Sequence, residues 1–598
     1  MPLHRIILVL CLLTLFGVAL FSPVRDNERS DPWGALLVSQ ALIEQRSIKL
    51  DSYPDAVREL GYRVLPLNGH QFYAYPFGTS LAAVPAVAAA RMFGMDMALP
   101  ADDYALQNLL AALSVAALFG LGYLVCRAFV QPWPALIIAA VTVLSTALMP
   151  TMGGALWSTN LAVLCVTAAL AILVQPEQNR LCGALIGILL VGAYVARPSS
   201  LTFIGPALLF LLLARRRMAL AALIATGVGF ALFVGFSLIT HGELLPLYYR
   251  GVGRLSAPDA GWVAIALYGL LFSPGRGLIV FSPQLIILIV GCLWLFKQLR
   301  YQSVFWLSIG WLGAHLALLG MFYHWWGGYS YGSRLFSDAM PALFPLTALL
   351  WRAAAAYTPQ IRRAGAGVFL AFALVGGFFN TAQGLFNPQT LYWNVTGAGY
   401  YDVEALPEIL FDWRFPPFLA SLEQFQRRDA ALLANPPRPN TLFGRRVWPV
   451  VYLRQSAYWN PPGITVDPQL AVLLDRGWHQ YEEAWGGRWI RADATIWVES
   501  DVAGEVELVL KPYSLYQAAD PAVPNILHVQ IEDGPVQTQP LTVGHVSVFR
   551  FRINQGSTAV HLRYAGGEAN INGDPRLLAL ALENTELTLI TVADHDPQ

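Results

Sequence analysis

The stretch "RIILVLCLLTLFGVALFSPVRDNERSDPWGALLVSQ", Arg5 to Gln40, decides the fold. An unbroken apolar run from Ile6 to Phe21 is followed at once by Asp26, Glu28 and Asp31, and then by an amphipathic helical pattern. Apolar runs of about 20 residues match a hydrocarbon core about 30 Å thick. His4-Arg5 ahead of the run fits a signal peptide or an uncleaved first span. The lack of a clear small-residue cleavage site before Arg25 favours the span.

Composition extends this reading along the chain. The 598 residues are 56% hydrophobic and only 13% charged, against about 25% charged in an ordinary soluble protein. Similar runs recur through the first 380 positions, and the chain is therefore expected to be a polytopic α-helical membrane protein with about eleven transmembrane helices. Thirty-eight basic and 38 acidic side chains cancel, so no global field points to nucleic acid. Cys11, Cys126, Cys165, Cys182 and Cys292 lie in apolar stretches, where cysteine acts as a small hydrophobe. No disulfide, metal cluster or cofactor is read from them.

Loop charge orients the spans. If Phe77–Phe93, which contains Pro85, lies at the interface without crossing, then Arg127, Arg215–Arg217, Lys297/Arg300 and Arg352/Arg362/Arg363 all share the side of Arg5. This puts the N-terminus in the cytoplasm of what reads as a bacterial plasma membrane, with the acids after the first span on the outer face. The expected domains are a membrane domain over 1–382, a linker region over 383–475 and a β-domain over 476–598, the last two extracytoplasmic. Within the first, 23–104 is a long outer loop with juxtamembrane helices. The β-domain is expected from period-two stretches such as "GEVELVLKP", "SVFRFRI" and "LTLITV" between turn residues, a pattern that predicts a jelly-roll-like β-sandwich. The tryptophans of Gly477–Ala494 invite either sugar stacking or core and lid packing.

The acid past the first span, the motif "LNGHQFYAYPFGTSLAAVPAVAA" and the later "FYHWWGGYSYGSRLFSDAMPAL" together resemble the GT-C class of membrane glycosyltransferases. That class includes the protein O-mannosyltransferases and the lipid A aminoarabinose transferase. The resemblance covers roughly residues 5–380. It implies a sugar carried on a polyprenyl phosphate or diphosphate, transferred at the outer membrane surface to an acceptor hydroxyl of a glycan, lipid or protein. It implies an aspartate of the first outer loop as catalytic base: Asp31 matches that acid best, with Asp26 and Glu28 as fallbacks. The local alternative for Asp31 is an N-cap ahead of Pro32 at N1.

A leaving phosphate needs cations. Arg334 in "SYGSR", Arg276 in "FSPGRG" and Arg197 in "YVARPSS" are the candidates, with snorkelling to headgroups as the alternative for each. Trp325, Trp326, Tyr329, Tyr331 and Tyr75 are the expected cleft residues, the tryptophan pair reading equally as an aromatic belt. The chain departs from the class in three places: Pro32 follows Asp31 where several members have a paired acid, Tyr75-Pro76-Phe77-Gly78 stands where many relatives carry a Lys-Pro-Pro-like motif, and Ser158, Thr159 and Asn160 stand where others place a second acid. No ligand set supports a divalent metal. Two rival functions are a catalytically inactive scaffold or glycan-binding membrane protein, and a transporter, for which Asp338 is the main ionisable residue near a span.

Overall fold

The computed structural model of the chain describes residues 3–26, 30–176, 179–246, 248–250, 259–394, 403–434, 437–454, 459–516, 523–570, 574 and 576–592. It divides into two compact units: Met1–Trp393 with Leu410–Gln424, and Asn394–Ile409 with Phe425–Gln598.

In the first unit five described helices are long and apolar enough to cross a membrane: Leu3–Leu20, Pro100–Arg127, Arg216–His241, Ser303–Met321 and Pro359–Phe386. The pair Pro132–Leu144 and Leu148–Gly154, bent by 66° at its break, makes at most a sixth. The chain is an integral membrane protein, but five or six spans replace the expected eleven. The other apolar helices have 10–17 residues; at about 1.5 Å per residue they reach roughly 15–26 Å, short of a core about 30 Å thick. Apolar runs overcount because a turn can interrupt a helix without lowering hydropathy. Ser282-Pro283 separates Leu278–Phe281 from Gln284–Trp294, and two 3-10 turns, Arg334–Asp338 and Met340–Ala342, precede Leu343–Ala353. The loop-charge argument counted eleven crossings and falls with that number.

Glycines let two of these helices meet closely. A Cβ on Gly183 would lie 2.3 Å from the Met218 carbonyl oxygen, and one on Gly187 would lie 2.5 Å from that of Ala222. The helix Arg180–Ala196 therefore rests backbone to backbone on Arg216–His241 through a Gly-x-x-x-Gly face, the packing that small residues permit between membrane helices.

The first loop is built on this frame. Gly34, at φ 97°, turns the chain into the helix Ala35–Gln45, and a Cβ there would meet Leu60 at 3.0 Å. Gly34 is the N-cap and no side chain caps this helix, so the capping reading of Asp31 does not hold. Residues Ala35 to Ala41 are all buried; Ser39 Oγ donates to the Ser80 carbonyl (2.7 Å) and Gln40 Nε2 to Asp96 Oδ1 (2.7 Å). Asn68-Gly69, both at positive φ, turn the hairpin Val64–Leu67/His70–Tyr73, as a two-residue Asn-Gly loop does. The helix Gly78–Met92 has 15 residues and Pro85 inside it. At roughly 22 Å it is too short to cross.

In the second unit the alternating stretches do form strands, but in place of the expected jelly-roll-like β-sandwich they make two open sheets. In one, the order is Ser547–Ile553, Gly504–Leu515, Leu580–Val592, Gly487–Ile490 and Trp478–Glu482, with Ile464–Val466 pairing in parallel to Leu580–Val592. In the other it is Val536–Pro540, Ile526–Ile531, Gly556–Tyr564, Asp493–Ser500 and Leu470–Leu474. Val506, Leu508 and Phe549 of the first share a core with Ile496, Val529 and Val560 of the second. Alternation fixes which face is buried and says nothing about whether edges join. The edge Val536–Pro540 is short, polar and ends in proline, features that keep an open edge from recruiting another strand.

Candidate functional site

Asp31 sits in the turn before Ala35 and is half-buried. Three consecutive carbonyls of this turn are held by side chains from elsewhere. Arg63 Nε donates to Ser30 O (2.8 Å), the Tyr73 hydroxyl donates to Asp31 O, and Gln107 Nε2 donates to Pro32 O (3.3 Å). Burial, then the Asp31 charge, pushes the Tyr75 hydroxyl far above its ordinary value, and the same two causes raise Tyr62.

Two arginines feel the charge of this acid. Burial pulls Arg334 below its ordinary value, while the charges of Asp31 and Asp26 oppose that pull. Its Nη2 donates to Gly327 O (3.1 Å), its guanidinium lies 4.1 Å over the Trp157 ring, and its buried Nε has no hydrogen-bond partner. Arg197 binds Asp338 Oδ2 through Nε (2.6 Å) and Ser158 Oγ through Nη1 (3.1 Å). Burial works against its charge, but Asp338 more than compensates and leaves it above its ordinary value, and Arg197 feels Asp31 as well. Asp338 also accepts from Ser199 Oγ (2.6 Å); burial alone would raise its carboxyl, and Arg197 holds it below its ordinary value. Asp26, beside Gly154, feels Arg334, yet burial wins and keeps its carboxyl above the ordinary range. Glu28 lies outside the described residues.

The remaining expected residues are engaged elsewhere. Arg276 is buried and donates to three carbonyls, Trp326 (2.7 Å), Gly275 (2.9 Å) and Gly328 (2.7 Å). Trp325 and Trp326 are fully buried, the first packed on Phe411 with ring centres 5.8 Å apart. The Tyr331 hydroxyl donates to Phe379 O (2.7 Å), and Tyr329 is exposed. In the second unit Trp478 belongs to the core and Trp485 stacks on Tyr513 at 5.0 Å.

Sequence reading missed Arg63, Tyr62, Tyr73 and Gln107. Arg63, with its guanidinium 5.1 Å from the Trp33 ring and 4.4 Å from that of Tyr62, lies in a stretch whose only visible signal was its position in the first loop. Tyr73 ends a strand and Tyr75 follows two residues on in a bend, a spacing that was a legible cue that both arrive together.

These features define an integral membrane protein whose first loop holds a half-buried carboxylate in a turn clamped through three carbonyls, its charge acting on two arginines. No protein-family profile matches the sequence, and no curated protein matches it. The chain has distant likenesses among solved structures. It is similar to the crystal structure of ArnT from Cupriavidus metallidurans bound to undecaprenyl phosphate, at 14% identity and a TM-score of 0.38, over 61% of this chain and 63% of that one. It is also similar to two cryo-EM classes of the arabinofuranosyltransferase AftD from Mycobacteria. One is 11% identical with a TM-score of 0.35 over 98% of this chain and 62% of that one; the other is 10% identical with a TM-score of 0.32 over 98% and 61%. The chain thus spans less than two thirds of each. At TM-scores this low the likeness carries no argument about what the chain does, and the site must supply it.

Proposed function

We propose that the chain is a membrane glycosyltransferase that moves a sugar from a polyprenyl-phosphate-type donor to an acceptor hydroxyl at the outer membrane surface. The observation that supports this reading is that Arg334 lies over Trp157 and Arg197 bonds the adjacent Ser158, so that two cations from distant segments come together, with the charge of Asp31 acting on both. The acceptor oxygen attacks the anomeric carbon as the bond from that carbon to the phosphate oxygen breaks. Asp31 takes the hydroxyl proton, a task suited to a carboxylate at a partly desolvated site. The phosphate leaves as an anion against Arg334, whose buried Nε has a donor to spare. Arg197, already tied to Asp338, contributes charge at longer range. Arg276 and the buried tryptophans shape the 324–328 loop near which Arg334 is anchored.

The test is sugar turnover by purified protein in nanodiscs across a panel of polyprenyl-phosphate sugars, wild type against Asp31→Asn. Because Asp31 caps no helix, the variant removes the base and leaves the turn's backbone bonds in place. Turnover lost from a folded variant supports the reading. Equal turnover in both sinks Asp31, and no turnover in either, with lipid still bound, turns the reading toward an inactive scaffold.

A further inference from the structure

The second spanning helix, Pro100–Arg127, carries two fully buried polar side chains in its first two turns, Asp103 and Gln107. Buried polar groups of this kind need a structural or functional reason. Gln107 Nε2 uses its two hydrogens on two acceptors: Asp103 Oδ2 at 2.5 Å and the Pro32 carbonyl at 3.3 Å. One oxygen of each residue, Asp103 Oδ1 and Gln107 Oε1, is buried without a partner. The pair therefore spends its bonds on the turn at the expense of its own complete satisfaction. Pro32 follows Asp31 directly, and its carbonyl also receives the Ala35 N–H (3.1 Å) that starts the next helix.

Resting on the transferase reading above, we propose that Gln107, itself aimed by Asp103, is a positioning residue that fixes the direction of Asp31 from within the membrane helix. Arg63 and Tyr73 grip the neighbouring carbonyls from the same loop, so they move with it. Gln107 alone of the three ties the turn to a spanning helix. A carboxylate must keep its line to the acceptor hydroxyl, and misplacement by about 1 Å lowers rate by roughly 100-fold.

The experiment compares Gln107→Met, Asp103→Val and Asp103→Asn as full-length, folded protein in nanodiscs. Turnover of a polyprenyl-phosphate sugar is split into kcat and donor KM, and hydrogen exchange is followed across residues 30–40. Methionine keeps the volume of Gln107 and removes its donors, so kcat should fall about tenfold to 100-fold, with donor KM unchanged and exchange faster at Trp33 to Val38 only. Asp103→Val should do the same. Asp103→Asn keeps an acceptor oxygen for the Gln107 amide and should rescue most of the loss. A Gln107→Met protein with wild-type kcat overturns the proposal, as does unchanged exchange, or an Asp103→Asn protein as impaired as Asp103→Val. A wild type that transfers no sugar overturns the transferase reading instead. The exchange arm then decides the clamp by itself: selective loss of protection sustains it, and unchanged protection overturns it.

Discussion

Replacing Arg276 with methionine separates a guanidinium that holds a loop from one that holds a phosphate. Arg276 is 3% exposed and donates to the carbonyls of Trp326, Gly275 and Gly328 at 2.7, 2.9 and 2.7 Å. A hydrogen bond involving a charged group contributes roughly 1.5–3 kcal/mol, and a buried carbonyl left without a donor costs about 1–3 kcal/mol. The three bonds leave one side chain and share one loop, so they do not add. A total loss of about 4 kcal/mol is expected, roughly 1,000-fold in the folding constant at about 1.4 kcal/mol per decade. Gly328 is the acceptor closest to solvent, and Arg276→Lys, a single point charge, should recover part of the loss. The assay is reversible SDS-driven unfolding of the full chain in mixed micelles, with proteolysis across 322–334 as the local readout. Wild-type stability together with lost binding of a polyprenyl phosphate would refute the loop assignment and return Arg276 to the donor site.

The other expectations are briefer. Gly187→Leu puts a side chain where a Cβ alone meets the Ala222 carbonyl oxygen at 2.5 Å, and should destabilise the first unit by about 3 kcal/mol; an unchanged thermal midpoint in detergent would show that the two helices do not pack there. Burial holds the Asp26 carboxyl above its ordinary 3.8, so its charged form is the disfavoured one in the folded state. The resulting penalty is absent below that ordinary value and grows as pH rises through the folded one. Asp26→Asn should therefore gain more in thermal midpoint over the wild type near pH 8 than near pH 4, and a gap of opposite slope contradicts the burial of this acid. Arg334→Gln should raise donor KM by about tenfold, as loss of a charged phosphate contact does; an unchanged KM in a turnover assay removes Arg334 from the donor site.

Parts of this molecule are local and were legible. The acid past the first span, the Asn-Gly hairpin turn and the alternating strands each follow from neighbours a few positions apart. The Gly183–Gly187 face was equally local and was visible as small residues four apart, though only the partner backbone at Met218 and Ala222 gives it meaning. The amphipathic reading of the helix after Gly34 failed because tertiary neighbours cover Ala35 to Ala41 on every side. Arg276 and Arg334 look alike in sequence, each next to glycines or tyrosines at the end of an apolar run. Their partners differ and come from far along the chain: carbonyls about the Trp326 loop for Arg276, and the Trp157 ring for Arg334, whose buried Nε is left unpartnered.

The sequence by itself determined that this chain lives in a membrane, because hydropathy sums over residues whatever their path. It also determined that a carboxylate follows the first span and that a strand-rich region lies toward the C-terminus. Tertiary structure alone decided that five or six helices among the described residues reach membrane length, because a turn at Ser282-Pro283 breaks a helix without changing the sum. It decided that the sheets stay open, because edge pairing is a property of strand order and not of alternation. It decided which side chains hold the Asp31 turn, because Arg63, Tyr73 and Gln107 reach the carbonyls of Ser30, Asp31 and Pro32 only after the chain has folded back on itself, where burial makes hydrogen bonds count.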